Sequence, residues 1–202
     1  MASDYITSAA LKATLSLSAT SYADADISAA ITAASRAIDK LCNRRFWLDA
    51  DANQIRYYTP YSLSSLQVDD FVTFTALATD SNGDNTFGSS WTLHTDFELE
   101  PLNAAADGEP WTKLVIRQNG SFTFPTGFTR SVRLTAQFGW LTVPQPIVDA
   151  TTVVATQILK RKREAPFGVV ALGSEMAIRL ARVDPQVAML VGPYQKHRIG
   201  VA

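Results

Sequence analysis

The sequence predicts an α+β fold, in which a small helical bundle formed by N-terminal and C-terminal helices carries an inserted antiparallel β region and an extended C-terminal arm. Three observations lead there. Residues 24–45 and 146–164 place apolar side chains at helical spacing, with start and stop signals that agree. Residues 50–143 break into short runs of β-branched and aromatic residues divided by Asp, Asn, Gly and Pro. From Phe167 onward the chain is apolar yet interrupted by glycine and proline. Residues 1–166 are therefore expected to fold as one domain, with 167–202 as an arm.

Taken in order, residues 7–17 are a short helical candidate, and Ser18 to Tyr22 reads as a loop. In 24–45, Ile27, Ile31, Ala34, Ile38 and Leu41 share one face. Asp24 and Asp26 at its start, and Lys40, Arg44 and Arg45 at its end, complement the helix dipole. Its polar face, with Ser28, Ala29, Ala30, Ala33, Ser35 and Ala37, leaves room for another helix to approach closely on more than one side. Strands are expected at Ile55–Thr59, Phe71–Leu77, Trp91–Leu93, Phe97–Leu99, Leu114–Arg117 and Val132–Phe138. Asp80 to Asn85, DSNGDN, suits a hairpin loop because its residues tolerate positive φ. Phe122 to Phe128 contains Pro125 and Gly127 and reads as a loop or sheet edge.

The helix at 146–164 starts at Pro146, whose missing N–H costs nothing in a first turn. Ile147, Ala150, Val154 and Ile158 form its stripe, Lys160 to Arg163 crowd its last turn, and Pro166 stops it. In the tail, Asp184 and Pro185 form a cap and first-turn pair for a short helix to Val191, ended by Gly192 and Pro193. A tail so apolar either folds back on its own domain or lies on another chain.

At 202 residues, 47% hydrophobic and 18% charged, the chain can bury an ordinary core. Absence of a long apolar run or a signal-peptide pattern reads as a soluble, unexported protein with no membrane partner. Net charge is −1, but residues 49–143 carry five basic and eleven acidic side chains, and residues 144–202 eight and four. An acidic middle and a basic end permit copies to meet through complementary patches.

Catalytic chemistry finds little support. The two histidines, His94 and His197, lie in no nucleophile motif, and Gly88-Ser89-Ser90-Trp91 is not a nucleophile elbow. Cys42 is single and reads as a small buried hydrophobe. DSNGDN departs from a calcium loop, since its glycine comes one place early and Trp91 stands at the position of the bidentate Glu. No metal or cofactor is expected, and the chain is read as not an enzyme. Lys160 to Arg163 would permit phosphate contact, but a solvated helix end explains the same charges. Trp47, Trp91, Trp111 and Trp140 suit core or interface packing, with stacking platforms for sugar rings as the alternative.

Several segments together resemble the head–tail connector (adaptor, or head-completion) proteins of long-tailed double-stranded DNA phages. They are Ala34 to Phe46 (ASRAIDKLCNRRF), Arg56 to Pro60, Asp96 to Leu99 with Pro101, Gly139-Trp140 with Val143-Pro144, Ala165 to Gly168, and Asp184-Pro185 through Tyr194. The β region and tail are longer than in the small helical members of that family.

The resemblance implies a virion neck protein, assembled in the host cytoplasm as a homo-oligomeric ring, a dodecamer, under the portal. It would complete the head and offer a platform to the next stopper or tail-completion protein. Double-stranded DNA would pass through the lumen without sequence-specific binding. On that reading the portal-docking residues are Phe167, Val169, Leu172, Ile178, Leu180, Arg182, Asp184, Leu190 and Tyr194. Arg36, Arg44, Arg45, Lys160, Arg161 and Arg163 are then expected at subunit contacts. A carbohydrate-binding or other β-rich interaction module is the alternative.

Overall fold

Helix spacing at both ends of the chain and strand spacing between them produce two compact units. A computed structural model describes residues 3–15, 22–164 and 184–196. Residues 47–142 form a β unit, inserted in sequence between the two parts, 2–46 and 143–202, of a helical unit. The proposed arm residues Phe167, Val169, Leu172, Ile178, Leu180 and Arg182 lie outside the described residues.

In the helical unit, α1 spans Ser8–Thr14, and the Thr7 hydroxyl caps it by accepting from the Ala10 N–H. Helix α2 spans Asp24–Cys42. It stops short of the expected Arg45 because Asn43 takes the left-handed conformation, φ 51°, and the amide of Arg44 turns back to the Asp39 carbonyl. Its buried face is Ile27, Ala30, Ile31, Ala34, Ser35, Ile38 and Cys42, with Leu41 half-buried instead of central. Helix α4, Gln145–Glu164, packs against α2. Ile147, Ala150, Thr151, Ala155 and Leu159 are its buried line, so the expected stripe through Val154 and Ile158 is rotated to its flank. Small side chains meet where the two helices pack, Ala30 and Ala34 on α2 and Ala155 on α4, whereas Ser28, Ala29, Ala33 and Ala37 stay exposed.

The β unit holds six strands: β1 Gln54–Tyr58, β2 Ser65–Thr79, β3 Ser89–Trp91, β4 Phe97–Glu100, β5 Trp111–Ile116 and β6 Val132–Phe138. A four-residue helix, α3, spans Ala104–Asp107 between β4 and β5. The order is β1-β6-β2-β5-β4, all antiparallel, with β3 on the far end of β2. Strand β2 is twice the expected length. Its first half pairs with β5 and its second with β6, and register shifts near Phe71 and Phe74 bend it between the two.

That bend wraps the sheet around Leu66, Phe71, Leu77, Phe97, Leu114, Leu134 and Phe138. Phe122 to Phe128 forms no strand, as expected, but it inserts Phe124 fully into this core. Trp91 stacks on Phe124 at 4.8 Å and on Phe122 at 5.2 Å.

Residues 184–196 are not an extended arm. Helix α5, Pro185–Val191, followed by a 3-10 turn at Gly192–Tyr194, packs on α4 and buries Val187 and Val191. The Asp184 carboxylate caps α5 through the Gln186 N–H at 2.9 Å and accepts from the Gln157 amide at 2.8 Å. The Lys196 N–H reaches the Cys42 carbonyl at 2.8 Å. Of the proposed portal contacts, Asp184, Leu190 and Tyr194 therefore sit in a segment folded onto its own unit. Tyr194 packs its ring edge-on against Phe46 at 5.9 Å.

Candidate assembly surfaces

Where a protein works by docking, the side chains to find are those that its own fold leaves over. In the helical unit Arg36 is not among them. Its guanidinium pairs with Asp39 at 3.2 Å, donates to the Ser3 carbonyl at 2.8 Å and lies over the Tyr5 ring. The Tyr5 hydroxyl donates to Asp39 and accepts from the Phe46 N–H at 2.9 Å, while the Tyr5 N–H donates to Ser35. Burial, followed by the Asp39 hydrogen bond, pushes the Tyr5 phenol far above its ordinary value; burial likewise raises the Asp39 carboxyl and lifts the Cys42 thiol to about 11. This knot ties the N-terminal segment to α2, and a buried thiol so hard to ionise is the inert kind.

Arg44 and Arg45 are half-buried at the end of α2. Lys160 and Arg161 are exposed on the last turns of α4, and Arg163 lies on the same turn. Lys162 reaches Asp26 across to α2, and Lys12 pairs with Asp24, so part of the basic helix end already serves inside the unit. A groove of about 470 Å³ between α2, α4 and α5 is lined chiefly by Ile38, Leu41, Val154 and Val187, with Lys40, Gln157 and Asp184 beside them.

The β unit separates its charges differently. In DSNGDN both Asp80 oxygens accept from backbone amides, of Asn82, Gly83 and Asn85. Burial alone would raise the Asp80 carboxyl, but these amides and that of Asp84 outweigh it and hold it below its ordinary value. The oxygens a calcium ion would need are thus spent on the loop itself. Among the described residues no group of three or more His, Cys, Asp or Glu side chains could hold a metal. Asp70, inside β2, accepts from the Trp140 indole at 3.0 Å, and Arg56 is shared between Asp49 and Asp69.

A cavity of about 350 Å³ beside β2 and β4 does hold a histidine and a carboxylate. His94, with its ring largely exposed, meets Glu98 at 2.7 Å, and Arg117 meets the other Glu98 oxygen at 2.6 Å. The hydrogen bonds from His94 and Arg117 hold the Glu98 carboxyl below its ordinary value. Thr73 is the hydroxyl in that cavity, and no hydrogen bond joins it to His94 among the described residues, so a base held beside a nucleophile is missing. Trp91 and Trp140 are buried, which withdraws both as platforms for a sugar ring.

Exposed apolar side chains include Ile55 and Tyr57 on β1 and Leu102 after β4, with Tyr61, Leu63, Phe128 and Leu141 elsewhere in the β unit. The sequence places Ile55 and Tyr57 on a strand without showing which face is covered, and Leu102 and Phe128 lie in turns where no periodicity applies. Among the described residues no helix is long and apolar enough to cross a membrane.

No protein-family model matches the chain, and no curated protein does either. Solved structures do. A chain from the neck of an empty GTA particle, computed with C6 symmetry, matches with a TM-score of 0.55 at 16% identity, covering 98% of this chain and 93% of that one. A chain from the virion of a native gene transfer agent (GTA) particle matches with a TM-score of 0.51 at 19% identity, with the same coverage. At such identities the likeness is one of fold, and it extends over nearly the whole of both chains.

Proposed function

We propose that this chain is a structural neck protein of a phage-like virion, a head-to-tail adaptor that assembles as a ring under the portal. The observation that carries the reading is the fold shared over 98% of the chain with a neck protein of a GTA particle. It agrees with the family resemblance of the sequence itself. An acidic β unit and a helical unit ending in exposed Lys160 and Arg161 supply the complementary charge that repeated lateral contact requires.

In this reading the ring is a dodecamer, it passes double-stranded DNA without gripping it, and it presents a platform to the next stopper or tail-completion protein. Arg44, Arg45, Lys160, Arg161 and Arg163 serve subunit contacts before DNA, since each phosphate neutralised would tighten binding and oppose sliding. Arg36 contributes indirectly, by fixing Tyr5 and Asp39. The portal-docking segment is narrowed to residues 167–182, because α5 is part of the helical unit.

Electron microscopy of the purified protein mixed with its portal tests the reading. Rings capping the portal are expected, whereas protein that never engages a portal would refute it.

A further inference from the structure

The strands at the two ends of the sheet order, β1 and β4, lie in corners of opposite chemistry. At the β1 corner, Arg133 stands opposite Tyr57 in the β1–β6 register, and its guanidinium lies 4.9 Å from the Phe87 ring centre. The Arg130 guanidinium lies 3.9 Å over Tyr57, and Tyr57 packs on Phe87 at 5.5 Å. Neither arginine has a carboxylate partner among the described residues. Stacking on a ring face leaves the guanidinium edge, with its forked donors, open for a carboxylate. Ile55, 51% exposed, adds an apolar side chain to the same corner.

At the β4 corner the turn into β5 carries Asp107 and Glu109, both exposed and without a cationic partner among the described residues. Leu102, 71% exposed, stands in the same turn. One corner therefore offers apolar surface with two unmatched guanidinium groups, and the other apolar surface with two unmatched carboxylates.

We infer that these corners are the two halves of a head-to-tail contact between copies of this chain, the β1 corner of one copy receiving Leu102, Asp107 and Glu109 of the next. Two different surfaces of one chain that fit each other make a heterologous contact, which closes into a ring when the rotation allows. Aromatic and arginine side chains are the types that dominate such interfaces. A second copy suits the corners better than nucleic acid does, because phosphate would occupy the arginines and leave Asp107 and Glu109 unanswered in a region of net charge −6, residues 49–143. It suits them better than the cations of α4, because the β1 corner supplies the apolar cover that exposed Leu102 calls for. The inference deepens the ring reading and rests on it for closure of the ring.

Two charge-reversed full-length variants test it by sedimentation velocity in low salt. Arg130→Glu with Arg133→Glu leaves both corners acidic; Asp107→Arg with Glu109→Arg leaves both basic. Each alone should self-associate at least about tenfold more weakly than the unaltered chain, and mixing the two should restore assembly, with added salt weakening it. Unchanged thermal melts check that the substitutions, at exposed Arg130, Asp107 and Glu109 and half-buried Arg133, leave the fold intact. Variants that assemble as well as the unaltered chain overturn this contact while leaving the ring reading in place. A mixture that stays monomeric also overturns it. Failure of the ring reading is seen separately, as the absence of rings on the portal.

Discussion

Tyr5 shows how a single side chain decides whether the N-terminal segment belongs to the fold. Its hydroxyl serves Asp39 and the Phe46 amide at once, so Tyr5→Phe strips two buried groups of a partner. A loss of about 1–3 kcal/mol is expected in denaturant unfolding. Tyr5 and Tyr58 both have phenols raised by burial, with Asp39 and Asp69 respectively adding to the shift. A raised folded-state value means that stability is intact below the ordinary tyrosine range, near pH 10, and is lost as pH rises beyond it. In an alkaline absorbance titration, two of the six tyrosines should therefore resist ionisation until the protein unfolds. Glu98 works at the other end of the scale: its lowered carboxyl contributes stability above the ordinary carboxylate range that is lost as pH falls through its folded value. Glu98→Gln should flatten the acid limb of the stability profile. Gly139, at φ 115°, lies where a Cβ would stand 2.1 Å from the Trp47 carbonyl oxygen, so Gly139→Ala should fail to fold or expand the β unit, as read by tryptophan fluorescence.

Elements whose periodicity is uninterrupted were legible in the sequence, and those with mixed signals were not. Val132–Phe138 and Pro185–Val191 have the bounds their patterns predict, because alternation in one and a cap plus stop in the other leave no ambiguity. Strand β2 was read at half its length because Asp69 and Asp70 interrupt its apolar run; the structure satisfies the first with Arg56 and Tyr58 and the second with Trp140, partners distant in sequence. Helix α3 escaped notice because four residues carry no period. The rotated stripe of α4 has a similar cause, since Thr151 and Ala155 are buried by position and not by hydrophobicity. The candidate assembly surfaces were legible only as net charge per segment. Which arginines are already spent, as Arg36 is, depends on contacts that no spacing reveals. At this scale Phe71→Ala, at the bend of β2, should cost about 3–5 kcal/mol. The place of α5 alters a truncation test. Removing 167–202 takes Val187 and Val191 from the helical unit and should destabilise it, so a polar linker replacing 167–182 is the informative variant. It should keep the thermal melt and lose portal binding.

Across the whole molecule, surfaces offer more than pockets do. The β unit buries Phe71, Trp91, Phe97, Phe124 and Phe138, spends its acidic loop on its own amides and leaves charge and apolar surface, Tyr57 included, at its corners. The helical unit consumes several of its cations internally and leaves others exposed along the end of α4. Such an economy suits a part that functions by position among neighbours. The most direct measurement is imaging of the purified chain together with its portal by electron microscopy. Closed rings seated on the portal, with a central opening wide enough for duplex DNA, are the expected result; portals left bare beside dispersed single chains would contradict the account.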